Sequence, residues 1–426
     1  LSALARRAPA LQRLAVLAEA ASTPVLAFVL IPVVTAAAGS VGLGHFVFVQ
    51  ALCTTMSVVG LGLSLSSINA VARHSAESGS RQADEVRAAL VVAGIAAALI
   101  ALAALTPISE FVARSGAVPA EIVRLGFLWA ALQLPGPVLL ALLKGRERFV
   151  AAAVVELVAK ALVYGVLVAV LLGADGAPLV PALEAAIVAE ALALVWRWFA
   201  ATRLAGGGLG PMPRTQEEYR SLFRFSGGVW LQATSSLAFS TLDKFVVGVV
   251  AGPVVLGAYA ATAQIASLIH FVPSAVASVQ VPRIAAAQAS ATGLALVRDG
   301  LAKEMRTLTL LLAGCAVAFI AASQFWPVWP VLQVPGQAGP LAALVLAYAV
   351  LALAIVDYTM LLGTSRTRAI GTANLAGSLV ACALLVAGAI AGSLLVVALG
   401  RVGYSLVCAA GLRRQARRVQ AKAVPA

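Results

Sequence analysis

Lysine and arginine occur in this chain almost only in alternate gaps between long apolar runs, a pattern that admits few folds. Twelve apolar spans can be counted, at roughly residues 14–36, 46–72, 88–110, 125–143, 149–172, 178–197, 225–250, 254–282, 307–329, 340–363, 369–391 and 393–411. Each is long enough to cross a hydrocarbon core of ~30 Å as a helix. The two terminal segments and the even-numbered gaps hold 25 of the 30 basic residues, with Arg197 at the very end of span six counted in the gap it borders; the odd-numbered gaps hold Arg114 and Arg124, and Lys160, Lys244 and Arg401 fall inside spans. By the positive-inside rule, both termini and every basic loop face the cytoplasm.

Composition agrees. With 62% hydrophobic and 11% charged residues and a mean hydropathy of +0.99, the chain has no room for a soluble domain of ordinary size. The expected fold class is therefore an all-α polytopic membrane protein. The net charge of +13 does not indicate nucleic acid, because Arg413, Arg414, Arg417 and Arg418 are accounted for by an anionic membrane leaflet. Arg6, Arg7 and Arg13 before an apolar run and the small residues Ala36 to Gly39 imitate a secretory signal, but eleven further spans favour a retained first helix. Cys53, Cys315, Cys382 and Cys408 lie inside spans without metal-ligand spacing and read as packing residues; no metal or cofactor is expected.

Residues 369–411 form a nearly unbroken apolar stretch marked by Gly388, Gly392 and Ser393. As one helix it would be about 64 Å long, twice the hydrocarbon thickness, so it must fold back. Leu43-Gly44-His45-Phe46 opens span two and Leu256-Gly257-Ala258-Tyr259 opens span eight, an offset of 213, half the chain. Six spans per half is an even number, which makes the repeats parallel, related by an axis along the membrane normal. The expected domains are a six-helix lobe over 1–202, a cytoplasmic linker over 203–224 with Gly206 to Gly208, Pro211 and Pro213, and a six-helix lobe over 225–426 with a basic tail.

Polar residues gather on the first two spans of each lobe. Gln50, Thr54, Ser57, Gly60, Ser64 and Ser67 share a face of span two, and Gln264, Ser267, His270, Ser274 and Ser278 share a face of span eight. Gln232, Ser235, Ser236, Ser240 and Asp243 do so on span seven, and Glu19, Ser22 and Thr23 precede Pro24 on span one. Small and hydroxylated residues are also how membrane helices pack. Glu19, Asp243 and Lys244 are different, since a charge in lipid costs at least ~2.5 kcal/mol and turns towards a cavity or a partner. Glu156 and Lys160 are placed to pair within one helix, Glu184 and Glu190 are 240° apart and cannot both face one site, and Asp357 and Arg401 are candidates to pair in the second lobe. His270 is a candidate to titrate near neutral pH. Pro24, Pro32 and Pro273 supply bending points. No phosphate-binding loop, metal cluster or nucleophile elbow occurs, so the chain reads as a transporter and not an enzyme.

Several stretches resemble a known family. Phe225-Ser226-Gly227-Gly228, Thr241 to Gly248 (Thr-Leu-Asp-Lys-Phe-Val-Val-Gly), Leu256 to Tyr259 and Gln280-Val281-Pro282-Arg283 resemble the second lobe of bacterial polysaccharide, or O-antigen, flippases. Leu43 to Phe46 and Leu143-Lys144-Gly145-Arg146-Glu147-Arg148-Phe149 are similar to their first lobe. These flippases form the lipid-linked oligosaccharide branch of the multidrug/oligosaccharidyl-lipid/polysaccharide exporter (MOP) superfamily, which also contains the MATE drug exporters. The resemblance implies twelve transmembrane helices in two six-helix lobes around a central cavity lined by spans one, two, seven and eight, in a bacterial inner membrane. It implies translocation of an undecaprenyl-diphosphate-linked oligosaccharide between leaflets by alternating access, with the bilayer and polysaccharide polymerase machinery as partners. The cavity candidates are Asp243, Lys244, Glu19, Gln50, Arg73, Gln232, Gln264, His270 and Arg283. Lys244, Arg73 and Arg283 are the cations for the diphosphate; Asp243 and Glu19 are the candidates for coupling to H+ or Na+. A cation-coupled drug or metabolite exporter is the alternative. A glycan polymerase or ligase would need a large outer loop, whereas the odd-numbered gaps have at most about fourteen residues.

Overall fold

The computed structural model describes residues 2–73, 79–173, 179–204, 216–278, 280, 284, 291–325, 338–364 and 366–423. Among them no strand occurs. The helices are α1 (Ser2–Arg73), α2 (Gly79–Ala104), α3 (Pro107–Gly116), α4 (Ala120–Gln133), α5 (Pro135–Gly145), α6 (Phe149–Gly173) and α7 (Leu179–Leu204). There follow α8 (Gln216–Leu237), a π-helical turn (Ala238–Leu242), α9 (Asp243–Ser278), α10 (Ala291–Phe325), α11 (Ala338–Leu353), α12 (Ile355–Gly363), α13 (Thr367–Ala391) and α14 (Leu394–Ala423). The chain is an all-α polytopic membrane protein. It divides into two compact units, Leu1–Ala233 and Thr234–Ala426, the boundary falling inside α8. Residues 205–215 of the expected linker lie outside the described residues.

Among the described residues ten stretches are long and apolar enough to cross a bilayer, two of them being Leu17–Ile68 and Ala233–Ala277, with 52 and 45 residues. At 1.5 Å per residue either would be more than twice as long as the ~30 Å hydrocarbon core is thick. Each contains one residue whose backbone leaves the helical region: Gly39 (φ 72°, ψ −178°) in the first and Gly252 (φ 79°, ψ 177°) in the second. Each is thus two crossings joined at a glycine, which brings the crossings to twelve. Only glycine adopts this region at ordinary cost. The two breaks are 213 residues apart, the offset already visible between Leu43 and Leu256.

The expected fold-back between spans eleven and twelve is a turn at Gly392 (φ 60°), where Ser393 N–H donates to the Gly388 carbonyl at 3.0 Å. Two boundaries differ from expectation. Span three stops at Ala104, because Pro107 opens the separate helix α3 and cannot supply a donor to a continuing one. Span nine begins earlier than residue 307: its apolar stretch runs Ala295–Ala322 within α10. Its charged residues, Arg298, Asp299, Lys303, Glu304 and Arg306, all fall in the first twelve positions of that stretch, the end from which long side chains reach the interface.

The core of the first unit is built from Leu63, Val71, Val86, Val138, Leu143 and Val155, among others, on α1, α2, α5 and α6. The start of α8 docks there: Trp230 Nε1–H donates to the Val59 carbonyl at 3.0 Å, Ser226 Oγ–H to Gly62 at 3.2 Å, and a side chain at Gly62 would collide with the indole. Leu301, Met305, Ile355, Val356 and Met360 form a core cluster in the second unit. The apolar residues that stay exposed, such as Leu99, Leu172, Leu310, Leu379 and Ile390, suit a surface that meets lipid. Trp196, Trp198 and Phe199, also exposed, form an interfacial aromatic group near the end of α7, with the Arg203 guanidinium 4.2 Å from the Phe199 ring.

Candidate functional site

In the second unit a buried charge cluster forms where α9 begins. The π-turn inserts one wide turn ahead of Asp243, of the kind that recurs at functional positions. Phe239 is thereby packed against Tyr348 (5.2 Å, edge-on) and Tyr404 (4.9 Å). Asp243, fully buried, faces α14, where Arg401 is 1% exposed. Arg401 Nε lies 2.5 Å from Asp243 Oδ2 and Nη2 lies 3.0 Å from Oδ1, a two-point ion pair. Tyr259 O–H donates to Oδ2 at 2.5 Å and the Lys244 backbone N–H to Oδ1 at 2.9 Å, so the carboxylate has four donors. Arg401 Nη1 also bonds the Tyr348 hydroxyl, Nη2 reaches the Ser240 carbonyl at 3.4 Å, and the guanidinium lies 5.1 Å from the Phe239 ring and 5.4 Å from the Tyr348 ring. α13 is tied to the same region by Ser378, whose hydroxyl donates to the Ser235 carbonyl. Two charges taken out of water cost several kcal/mol each, and a satisfied network of this kind is what makes their burial tolerable.

The first unit carries a longer chain of alternating charges across α1, α5, α6 and α7. Lys144 Nζ is 2.6 Å from Glu19 Oε1. Lys160 donates to Ser22 Oγ at 2.9 Å and Thr23 Oγ1 at 2.8 Å, and lies 3.8 Å from Glu156. Arg197 bridges two carboxylates, Glu156 at 2.9 Å and Glu190 at 2.6 Å, and Glu190 also accepts from Trp129 Nε1–H at 3.4 Å. Gly136 leaves space for this guanidinium: a Cβ there would stand 3.2 Å from Arg197 Cδ.

The expected site residues fall out as follows. Asp243 and Lys244 stand together in the second unit, while Glu19 and Gln50 belong to the first. Lys244 is half-buried and forms no ion pair among the described residues. Gln50 Nε2 and His270 Nδ1 are buried without a hydrogen-bond partner among the described residues, and Gln264 is half-buried. Arg283 and the side chains of Arg73 and Gln232 lie outside the described residues. The polar face of span two divides: Thr54 and Ser57 are exposed, while Ser64 and Ser67 are buried, Ser64 donating to the Pro137 carbonyl at 2.9 Å.

One expected pairing is corrected, and the other, Glu156 with Lys160, forms at 3.8 Å. Arg401 pairs with Asp243 and not with Asp357, which lies 3.8 Å from Arg298 instead. The Glu156–Lys160 pair is loose because Glu156 is held more closely by Arg197. Arg197, Lys144, Tyr259 and Tyr348 were missed as partners. Arg197 had a signal, its seven-residue spacing from Glu190, which returns to the same helix face. Tyr259 closes the repeated Leu-Gly-X-aromatic segment.

A twelve-crossing all-α chain of two units, each with ion-paired charges buried between its spans, defines a class of polytopic membrane protein whose fold is known. It is similar over 97% of its length, and 96% of theirs, to an outward-facing and an inward-facing multidrug resistance MATE family transporter of the MOP superfamily, at 14% identity and TM-scores of 0.65 and 0.67. A MOP superfamily transporter from Pyrococcus furiosus, described as having a binding pocket of reverse polarity, matches over the same shares at 16% identity and a TM-score of 0.62. At these identities the likeness defines the fold. Among curated proteins none matches the chain. Residues 15–288 match the model of the polysaccharide biosynthesis protein family, and the chain belongs to that family. The matched stretch contains Glu19 and Asp243 and the motifs that carried the resemblance.

Proposed function

We propose that the chain flips an undecaprenyl-diphosphate-linked oligosaccharide from the inner to the outer leaflet of a bacterial cytoplasmic membrane, by alternating access, for cell-surface polysaccharide assembly. The observation that carries this reading is membership of the polysaccharide biosynthesis family on a MATE-type fold. The charge geometry supports a division of labour. Arg401 and Arg197 are each saturated by carboxylates. Lys144 and Lys160 are held by a carboxylate or hydroxyls and Lys244 by none among the described residues, so the lysines are the cations available to a diphosphate. The hydroxyls of Ser22 and Thr23 beside Lys160 suit a sugar, and the polyprenyl tail stays in lipid.

Asp243 and Glu19 are the coupling candidates. A proton or Na+ taken up at Asp243 competes with Arg401 for the same two oxygens, so uptake there and loosening of α14 from the π-turn become one event. Both termini lie in the cytoplasm in this reading, with polysaccharide polymerase machinery as the downstream partner.

The second reading, a cation-coupled drug or metabolite exporter, is favoured by the MATE fold. Proteoliposomes separate the two. The flippase reading expects externally added lipid-linked oligosaccharide to become inaccessible to a membrane-impermeant glycosidase, with no movement of cationic dyes; dye movement without glycan movement would decide for export.

A further inference from the structure

A cleft of about 630 Å³ opens in the second unit among α10, α11, α12 and α14, apart from the Asp243 cluster. Its polar lining is Arg298, Arg306 and Arg413 with Asp299 and Asp357. Its walls are apolar, with Met305, Val350 and Leu353 among them. The volume falls within the range of small-ligand sites, roughly 300–1,000 Å³. Among the described residues Asp357 forms one ion pair, a loose one with Arg298 at 3.8 Å, and Arg413 is near enough to attract it without a direct contact. Arg306 and Arg413 are exposed and form no direct ion pair among the described residues, and with three arginines against two aspartates the cleft is net positive.

The shape of the apolar part narrows the ligand. Leu353 on the cleft wall is 49% exposed, and Leu346, two turns earlier on α11, is 52% exposed. With Val350 between them they make one continuous apolar stripe at helical spacing, running from the arginines along a span that meets lipid. Arginines beside such a track fit a phosphate that carries a hydrocarbon chain, and basic pockets between transmembrane helices are suited to anionic headgroups. A free phosphate would use the arginines and leave the stripe idle.

We propose that the cleft at Arg298, Arg306 and Arg413 is a binding site for an anionic phospholipid, the phosphate held by the arginines and an acyl chain lying along Val350, Leu353 and Leu346. The site is independent of the translocation pathway proposed above. The test uses the purified full chain in detergent with phosphatidylglycerol or phosphatidylcholine added to the micelles and retained lipid counted by native mass spectrometry. Phosphatidylglycerol is expected to be retained preferentially. Arg306→Gln with Arg413→Gln should weaken its retention roughly 30-fold, from two surface cations removed. The same charge change made elsewhere, Arg114→Gln with Arg124→Gln, should leave retention unaltered. Equal loss in both double variants, or equal retention of the two lipids by the native chain, would overturn the proposal. So would displacement of the lipid by inorganic phosphate at equimolar concentration, since the site would then be one for an aqueous anion.

Discussion

Arg401 and Asp243 are 158 residues apart in the chain and form a two-point ion pair, Nε to Oδ2 at 2.5 Å and Nη2 to Oδ1 at 3.0 Å, with both side chains buried. Removing one partner leaves the other charge without compensation. Asp243→Asn or Arg401→Gln alone should therefore destabilise the protein by about 3–5 kcal/mol. The double variant, with no net charge to bury, should recover most of that in a detergent thermal melt. If glycan translocation stays lost in the recovered double variant, the pair has a role beyond holding the fold; a double variant no more stable than the singles would refute the energetic account.

Tyr259→Phe removes one hydroxyl and little volume. The hydroxyl donates to Asp243 Oδ2 at 2.5 Å inside a buried site, and a hydrogen bond to a charged group contributes about 1.5–3 kcal/mol. A loss of that size is expected in chemical denaturation. In an Asp243→Asn background the same substitution should cost clearly less, a coupling that a double-mutant cycle reads directly.

Gly39 and Gly252 share a backbone conformation that other residues adopt only under strain, and neither would bring a Cβ within 4 Å of another atom. Alanine at either position should cost about 1–3 kcal/mol for backbone reasons alone. Gly94 and Gly165 lie inside regular helices with equally open surroundings. Alanine there should stabilise by up to about 1 kcal/mol. Opposite signs in the two pairs would confirm that the inter-helix turns, and not crowding, set the requirement.

Among the described residues Arg197 alone pairs with both Glu156 and Glu190. Arg197→Ala leaves Glu190 without its cation and Glu156 with the looser Lys160 contact at 3.8 Å, and should destabilise by about 3–5 kcal/mol. Arg197→Lys keeps the charge but loses the planar fork that spans two acceptors, so it should fall between alanine and native. Melting temperatures of the three proteins give the order.

The crossings were legible because hydrophobic length and basic alternation report directly on a helix in a bilayer. The repeat was legible too: the 213-residue offset of Leu43 and Leu256 is that of the breaks at Gly39 and Gly252. Asp243 stood out because a carboxylate in a span demands an explanation. Its partner did not. Helical periodicity gives the face a residue occupies but not the helix that covers that face, so Arg401 could be noticed as a cation inside the last span and still be matched to Asp357. The π-turn shifts the register ahead of Asp243, and no residue in Ala238–Leu242 announces it. Span nine was placed late because Arg298, Lys303 and Arg306 look like loop residues when counted by charge, yet their helix begins at Ala291.

The central claim is outward flipping of a lipid-linked oligosaccharide, and the most direct measurement is the leaflet location of that lipid in a strain lacking this chain. Spheroplasts and inverted membrane vesicles are each treated with a membrane-impermeant glycosidase, and the protected lipid-linked glycan is measured. In the deletion strain the glycan should accumulate on the cytoplasmic side, and expression of the chain should restore outward display. Normal outward display in its absence, with no second flippase present, would contradict the account.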